Sequence, residues 1–241
     1  MSTAGGGKTA IVTGADRGIG AGLVEAFLRE GYNVAATSLN ASQSLRSTGN
    51  LAVIEGDLSK PETAARTVEA AVSQFGSVDV LVNNAGIYRA KPFTEFTLED
   101  FEALVSINLL GFVYTTQACV RQMLKQKSGC VVTITASLAD QPMAGVNASV
   151  SMMTKGGLNA ITRSLAIEYA KEGIRFNAVA PSVVETALLE NDSREAMMAL
   201  QPMGRIAQVE DVTGAVLYLA KAGQVTGEVI HVDGGAHAGR W

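Results

Sequence analysis

Short apolar runs alternate with amphipathic segments along almost the whole chain. Seven runs are rich in valine, isoleucine, leucine and alanine, and each has the length of a buried strand. They cover Thr9–Thr13, Val34–Thr37, Leu51–Glu55, Val78–Val82, Val131–Thr135, Ile174–Val179 and Glu228–Val232. The stretches between them carry apolar residues at the spacing of one helix face. We therefore predict helices over Ala21–Arg29, Pro61–Phe75, Phe101–Lys125, Ser149–Ala170 and Val209–Ala220.

This alternation indicates an α/β fold. Strands that are apolar on both faces are typical of a parallel sheet with helices on either side. No linker, internal repeat or block of charge divides the chain, so one domain is expected over residues 1–241. Residues 182–208 interrupt the rhythm after a strand and are predicted to form a lid. Residues 236–241 are expected to form a C-terminal tail that reaches a neighbouring subunit.

The composition argues against several classes of protein. The 241 residues are 47% apolar and carry a net charge of −4, which disfavours a disordered chain. The same mild acidity leaves no basic surplus for nucleic acid. No apolar signal-peptide core is visible, and no apolar run approaches the roughly 20 residues of a membrane span. We expect a soluble, cytoplasmic protein in which Cys119 and Cys130 are packing residues.

Three glycines mark the junction between the first strand and the first helix. Residues 13–20 read Thr-Gly-Ala-Asp-Arg-Gly-Ile-Gly, with Gly14 directly after the strand and Gly18 and Gly20 at the mouth of the helix. Such a turn needs glycine because it is tight and because its backbone must approach a pyrophosphate closely. The helix N-terminus then offers N–H donors and positive potential to the phosphate. The motif predicts a dinucleotide-binding site.

Further motifs follow this turn in order. Asn83-Asn84-Ala85-Gly86 comes after the fourth strand, Asn108 lies in Ser-Ile-Asn-Leu, and Val232-Asp233-Gly234-Gly235 ends the last strand. With the TGxxxGIG spacing, these residues resemble the short-chain dehydrogenase/reductase family over about residues 8–235, and particularly its carbonyl and 3-oxoacyl reductases. The resemblance implies a Rossmann-type, doubly wound parallel sheet of about seven strands. It also implies a homodimer or homotetramer that interconverts a carbonyl and an alcohol with a nicotinamide cofactor.

The resemblance also assigns residues to the cofactor. Asp57, after the third strand, matches the family's adenine contact, and Pro181 and Thr186 match its nicotinamide loop. Ser182 stands where that loop usually has glycine. The cofactor-binding candidates are Gly14, Asp16, Arg17, Gly18, Ile19, Gly20, Thr37, Ser38, Asp57, Leu58, Asn84, Ala85, Gly86, Lys155, Pro181, Val184 and Thr186.

The catalytic positions depart from the family pattern. The resemblance implies that Asn108, Ser137, Ser151 and Lys155 occupy the catalytic positions, but Ser151 stands where the family has its proton-donor tyrosine. A serine hydroxyl is a far weaker acid than a phenol, whose pKa is near 10. Ser137 lies one residue further from position 151 than the usual spacing. Thr135 is the reserve candidate.

Two functions from different classes remain open. The first is a slow oxidoreductase in which Ser151 occupies the acid position and holds a relay water. The second is an NADPH-binding sensor or regulator without turnover, in which Ser151 is a plain helix-surface residue. A non-redox enzyme such as a lyase is disfavoured, because it would have no use for a complete nucleotide-binding set.

The end of the second strand predicts which cofactor is used. NAD enzymes place an acidic residue there to accept from the ribose 2′-OH. No acidic residue occurs from Tyr32 to Ile54, whereas Arg17 is positioned to face a 2′-phosphate and Thr37 and Ser38 add hydroxyl donors. We therefore predict NADP(H) rather than NAD(H).

The substrate is expected to be a small molecule with an apolar or mixed surface. By analogy with the family, methionine and other apolar side chains border its pocket, and methionine adapts to irregular apolar space. These residues are Ile87, Tyr88, Leu138, Met143, Met152, Met153, Leu188, Met197 and Met198.

Overall fold

The computed structural model describes residues 7–186 and 194–239. Seven strands form a single sheet: β1 (Thr9–Thr13), β2 (Asn33–Ser38), β3 (Leu51–Glu55), β4 (Val80–Asn83), β5 (Gly129–Ile134), β6 (Ile174–Pro181) and β7 (Val229–Val232). Their order is β3-β2-β1-β4-β5-β6-β7, and every neighbouring pair is parallel. This confirms the doubly wound α/β prediction. The strand order reverses between β1 and β4, which is where sheets of this kind bind ligands.

Eight α-helices occur in the described residues: α1 (Gly18–Arg29), α2 (Ala41–Ser44), α3 (Pro61–Phe75), α4 (Leu98–Leu104), α5 (Gly111–Gln126), α6 (Ser149–Glu168), α7 (Arg194–Ala199) and α8 (Val209–Lys221). A π-helical stretch, Val105–Leu110, joins α4 to α5. The predicted helix Phe101–Lys125 is therefore one continuous helix with a widened turn in its middle. The short helices α2 and α7 were not predicted, because neither is long enough to show a helical period.

The two faces of the sheet have separate cores. Helices α1 and α8 cover one face with side chains such as Phe27 and Leu219, which are fully buried. Helices α3, α5 and α6 cover the other face, where Met123 and Phe176 lie at the centre. Burial on both sides explains why the strands are apolar at nearly every position.

Both cysteines are free and buried, in agreement with the prediction that they are packing residues. Cys119 belongs to the core under α5 and Cys130 to the core on the opposite face. Burial raises the pKa of the Cys130 thiol to about 11 and raises that of Cys119 as well.

One helix of the described chain, Leu98–Gln126, is long and apolar enough to cross a membrane by length and composition alone. Its inward side chains, including Cys119 and Met123, are fully buried against the sheet. Core packing therefore accounts for much of its apolar character.

Candidate active site

The glycine turn after β1 is shaped so that only glycine fits at two positions. Gly14 has φ +63°, a left-handed conformation that favours glycine. A Cβ on Gly20 would lie 1.8 Å from the carbonyl oxygen of Gly14, so a side chain is impossible there. No acidic residue lies in the first turn of α1, and Arg17 at the N-cap makes no side-chain cap. The first N–H groups of the helix are thus left for an anion.

Asn84 and Thr13 join this turn to the end of β4. The Asn84 side-chain amide donates to the carbonyl oxygens of Thr13 (2.9 Å) and Gly14 (3.0 Å). The Thr13 hydroxyl in turn accepts from the backbone amides of Asn84 and Ala85, each at 3.0 Å. The Asn84 side chain therefore fixes the backbone of the turn, and it would support a bound nucleotide only indirectly.

The loop after β6 reaches the other side of the turn. A Cβ on Gly18 would lie 3.3 Å from the Thr186 side chain. Val184 is buried and pairs with Ala207 in an isolated parallel bridge. The predicted loop Pro181–Thr186 thus borders the glycine turn, as a cofactor-binding role requires.

The end of β2 meets the carboxylate of Asp16, one of the predicted cofactor-binding residues. The Ser38 hydroxyl donates to the Asp16 carboxylate at 2.5 Å. Asp16 lies in the glycine turn, 22 residues earlier in the chain. No acidic residue lies on β2 itself, as the sequence shows, but reasoning from β2 alone did not place Asp16 beside Ser38. The usable signal was that β1 and β2 are neighbours whose carboxyl ends meet.

Other groups at this end remain available to a nucleotide. The Thr37 hydroxyl is buried and has no hydrogen-bond partner within the described part of the chain. Arg17 is exposed. Asp57 is exposed after β3, and its carboxylate accepts from the amide of Ser59 at 2.8 Å.

Lys155, Asn108 and Gly86 converge at the carboxyl ends of β4 and β5. A Cβ on Gly86 would lie 3.2 Å from Lys155 Nζ and 3.1 Å from Asn108 Oδ1. Lys155 Nζ donates to the carbonyl oxygen of Ile134 at 2.8 Å. Burial lowers the pKa of the Lys155 ammonium to about 8. The lysine is therefore charged at neutral pH and loses its proton in mildly alkaline solution.

Asn108 lies in the π-helical stretch, where its side chain makes three bonds. Oδ1 accepts from the amide of Ile87 (2.8 Å), and Nδ2 donates to the carbonyl oxygen of Ile87 and to Thr154 Oγ1 (3.0 Å each). The residue thus links the segment after β4 to helix α6.

Ser137 and its reserve candidate Thr135 differ in the hydrogen bonding of their hydroxyls. Ser137 is buried, and its Oγ has no hydrogen-bond partner in residues 7–186 and 194–239. Thr135, the reserve candidate, donates weakly to the carbonyl oxygen of Val179 at 3.4 Å. A buried hydroxyl without a partner is costly unless a ligand supplies one.

Ser151 is buried and turned towards the protein. Its Oγ donates to the carbonyl oxygen of Arg89 at 2.8 Å and accepts from the amide of the same residue at 2.9 Å. It is 1% exposed, so the hypothesis of a helix-surface serine is wrong. Its role as an acid or as the anchor of a relay water stays a prediction.

The residues predicted to line the substrate pocket are spread around this centre. Tyr88 and Met153 are more than half exposed, whereas Leu138, Met143 and Met152 are partly buried. Two described parts of the predicted lid are connected by a hydrogen bond, which the Gln201 side chain donates to the Ser182 hydroxyl at 2.9 Å. Residues 187–193, including the candidate Leu188, lie outside the described residues.

The arrangement fits a nicotinamide dinucleotide. The glycine turn has no side chains at Gly14, Gly18 and Gly20 to keep a pyrophosphate away from its backbone, and the helix N-terminus without a side-chain cap offers donors to it. Two buried hydroxyls have no hydrogen-bond partner in the described chain. Thr37 lies on one side of the point where the strand order reverses, and Ser137 lies on the other. A dinucleotide and a carbonyl oxygen would satisfy such groups.

Comparison with known proteins agrees with this geometry. A family model described as enoyl-(acyl carrier protein) reductase matches residues 14–237. The 3β-hydroxysteroid dehydrogenase 1 of Eggerthella lenta is 34% identical over 244 residues, covering 95% of this chain and 93% of that protein. The 3-ketoacyl-(acyl-carrier-protein) reductase of Brucella melitensis, solved with NADH, superposes with a TM-score of 0.90 at 30% identity and covers 96% of this chain and 98% of that one. ElxO, solved with NADP, also has a TM-score of 0.90, at 27% identity, and covers 97% of this chain and 100% of that one.

Proposed function

The chain belongs to the short-chain dehydrogenase/reductase family of oxidoreductases, and we propose that it is an NADP(H)-dependent enzyme that interconverts a carbonyl and an alcohol on a small or medium apolar substrate. The observation that carries the proposal is the convergence of Lys155, Asn108 and Gly86 beside the glycine turn. A partly buried positive charge beside the glycine turn supports binding of a nucleotide next to a small substrate.

Each residue of this centre has a distinct task in the proposed reaction. When bound, the nicotinamide supplies or accepts the hydride. Ser137 donates its free hydroxyl to the carbonyl oxygen and so orients the substrate. Lys155 holds the ribose and stabilises negative charge that develops on that oxygen. Asn108 keeps the segment after β4 and helix α6 in register around the lysine.

The proposed turnover is slow. General acid catalysis typically contributes about 100- to 10,000-fold to a rate. The Ser151 hydroxyl is a weak acid, and its one proton is donated to a backbone carbonyl. The centre therefore lacks a strong proton donor at the position where the family's tyrosine is expected, and the proton that converts the alkoxide to the alcohol comes from solvent water, which is a weaker acid than a phenol.

Arg17, Thr37 and Ser38 support NADP(H), while Asp16 moderates the preference. An exposed guanidinium can pair with a 2′-phosphate, and the buried Thr37 hydroxyl can donate to it. The Asp16 carboxylate repels the same phosphate and already holds the Ser38 hydroxyl. We therefore propose a modest preference for NADPH, with NADH as a weaker cofactor.

The experiment that tests the proposed function is NADPH oxidation with a panel of activated ketones of increasing size. The proposal expects slow, ketone-dependent oxidation of NADPH that requires Lys155. Absence of ketone-dependent oxidation, together with normal NADPH binding, would favour the second candidate, a cofactor-binding sensor. The observation that favours this second candidate is that the Ser151 hydroxyl is hydrogen-bonded to the Arg89 backbone.

We also propose that the protein is a homodimer or homotetramer. An exposed apolar surface lies at the starts of α4 and α6 and includes Leu98 (67% exposed) and Met153 (52% exposed). A groove of about 420 Å³ lies between the starts of these two helices, lined by Phe101 and Met153 among others. Apolar surface of this kind is typical of a protein–protein contact. Light scattering that gave the monomer mass of about 25 kDa at micromolar concentrations would contradict the proposal.

A further inference from the structure

In the segment after β4, every second residue from Ile87 to Lys91 has backbone groups that are hydrogen-bonded to neighbouring parts of the chain. Ile87 is held through both its amide and its carbonyl by the Asn108 side chain. Arg89 is held in the same two-sided way by the Ser151 hydroxyl. The amide of Lys91 donates to the carbonyl oxygen of Asn147 at 2.7 Å. A segment without regular secondary structure thus has its backbone groups paired almost as in a sheet.

The side chains of this segment are held as well. Arg89 and Lys91 both form ion pairs with Asp100, whose side chain is largely buried. Asp100 also accepts from the amide of Thr97 at the start of α4. The hydrogen bond from Lys91, followed by the contacts with Thr97 and Arg89, holds the pKa of the Asp100 carboxyl well below its usual range. The segment is therefore fixed between α4 and α6.

The start of the segment forms a wall of the proposed active site. Gly86 faces both Lys155 Nζ and Asn108 Oδ1. Ile87 and Tyr88 follow directly, so any movement of Arg89 shifts the chain beside the lysine. Ser151 lies one helical turn before Lys155 on α6, which lets one helix place both the charge and the wall.

We propose that Ser151 is a positioning residue, whose hydroxyl holds the Arg89 backbone so that Gly86–Tyr88 lies against Lys155 and Asn108. The assignment to a reaction rests on the proposed function, but the mechanical role does not. A serine hydroxyl has one proton to donate, and here it is given to the carbonyl oxygen of Arg89. Ser151 therefore contributes order to the site rather than a proton to the substrate.

The direct test is hydrogen exchange at the Arg89 amide in the full chain without cofactor. Ser151→Ala removes the acceptor of that amide, so its exchange should become at least about tenfold faster. Ser151→Thr keeps a hydroxyl and should restore most of the protection. Ser164→Ala, an exposed serine on the same helix, is the matched control and should leave Arg89 unchanged. Unchanged Arg89 protection in Ser151→Ala would overturn the proposal.

Kinetics then separate positioning from proton transfer. In Ser151→Ala, the KM for the ketone should rise several-fold more than the Kd for NADPH, because the cofactor's main contacts lie at the glycine turn. The kcat should fall by less than about tenfold, with the shape of the pH profile unchanged. A loss of 100-fold or more in kcat at constant KM would instead make Ser151 a proton carrier and refute the proposal. If wild type reduces no ketone, the proposed function fails, and the exchange result alone decides whether Ser151 holds the segment.

Discussion

The nucleotide side and the substrate side of this site are built in different ways. Around β1 and α1 the site is built from backbone: Gly20 lies tightly against Gly14, and the N-terminus of α1 has no side-chain cap. Around α6, polar side chains are turned towards the protein, and Ser151 and Asn108 both bond the backbone after β4. The first region offers backbone N–H groups to an anion. In the second region, the polar side chains are hydrogen-bonded within the chain itself.

This difference explains why binding and catalysis can separate in one molecule. Nucleotide binding needs hydrogen-bond donors, and the backbone of the glycine turn supplies them independently of the side chains near α6. Carbonyl reduction also needs a proton donor, and that depends on a few side chains. A change at position 151 can therefore slow the reaction while leaving cofactor affinity almost intact.

The largest effect is expected from Lys155→Met. Turnover should fall at least about 100-fold, because the site loses its positive charge and its ribose donor. Stability at pH 7 should change by less than about 1 kcal/mol. Removing the Lys155 charge stabilises the fold, because burial lowers the pKa of this lysine from 10.5 to about 8. The loss of its charged hydrogen bond to the carbonyl oxygen of Ile134 offsets that gain. Denaturant titration measures the stability of the variant, and the kinetic assay measures its turnover. A loss of turnover caused by unfolding would contradict the role proposed for Lys155.

The pH dependence of stability reports the same lysine. Between pH 8 and 10.5 the unfolded chain binds more protons at this residue than the folded chain, since burial lowers the folded-state pKa to about 8. The contribution of Lys155 to folding stability should therefore rise with pH across that window, by up to about 3 kcal/mol. The comparison is with Lys155→Met, in which this rise should be missing. Equal slopes in the two proteins would show that the lysine is not buried as described.

Ser151→Tyr tests whether proton supply limits the rate. The phenol would stand one helical turn from Lys155, and reduction of a small activated ketone should rise about tenfold. The larger side chain must displace the Arg89 backbone, so unfolding stability should drop by about 1–3 kcal/mol. NADPH affinity should change little. If a structure of the variant shows a well-placed phenol and the rate is unchanged, proton supply is not limiting.

The smallest effects concern the choice of cofactor. Arg17→Ala should lower the ratio of NADPH to NADH affinity several-fold, because the 2′-phosphate loses a charged partner. Asp16→Asn should raise the same ratio by removing a repulsive charge and freeing Ser38. Fluorescence titration measures both. Asp57→Asn is the control, because its position after β3 is expected to affect both cofactors alike.

The sequence predicted the fold well because the strands are buried on both faces. The bounds of β1, β3 and α3 were predicted without error, and the other strands differ by one or two residues at one or both ends. The π-helical stretch was missed because it changes hydrogen bonding and leaves the apolar pattern almost intact.

The site was predictable only where its residues are close in sequence. The glycine turn could be read because all its parts lie within eight residues. The bond between Ser38 and Asp16 joins positions 22 apart, and that between Ser151 and Arg89 joins positions 62 apart. Periodicity and motif spacing carry no information on such pairs, so the partners of these two serines came only from the structure.

We propose that this molecule binds the nucleotide fully but delivers the proton poorly. The most direct test is a single sample of wild-type protein, titrated with NADPH and then mixed with excess activated ketone in a single-turnover experiment. The account predicts an NADPH dissociation constant of about 1–100 μM and a reduction rate below about 1 per second. Reduction at tens per second would contradict it, because another group would then be delivering the proton efficiently. Failure to bind NADPH would contradict it from the other side.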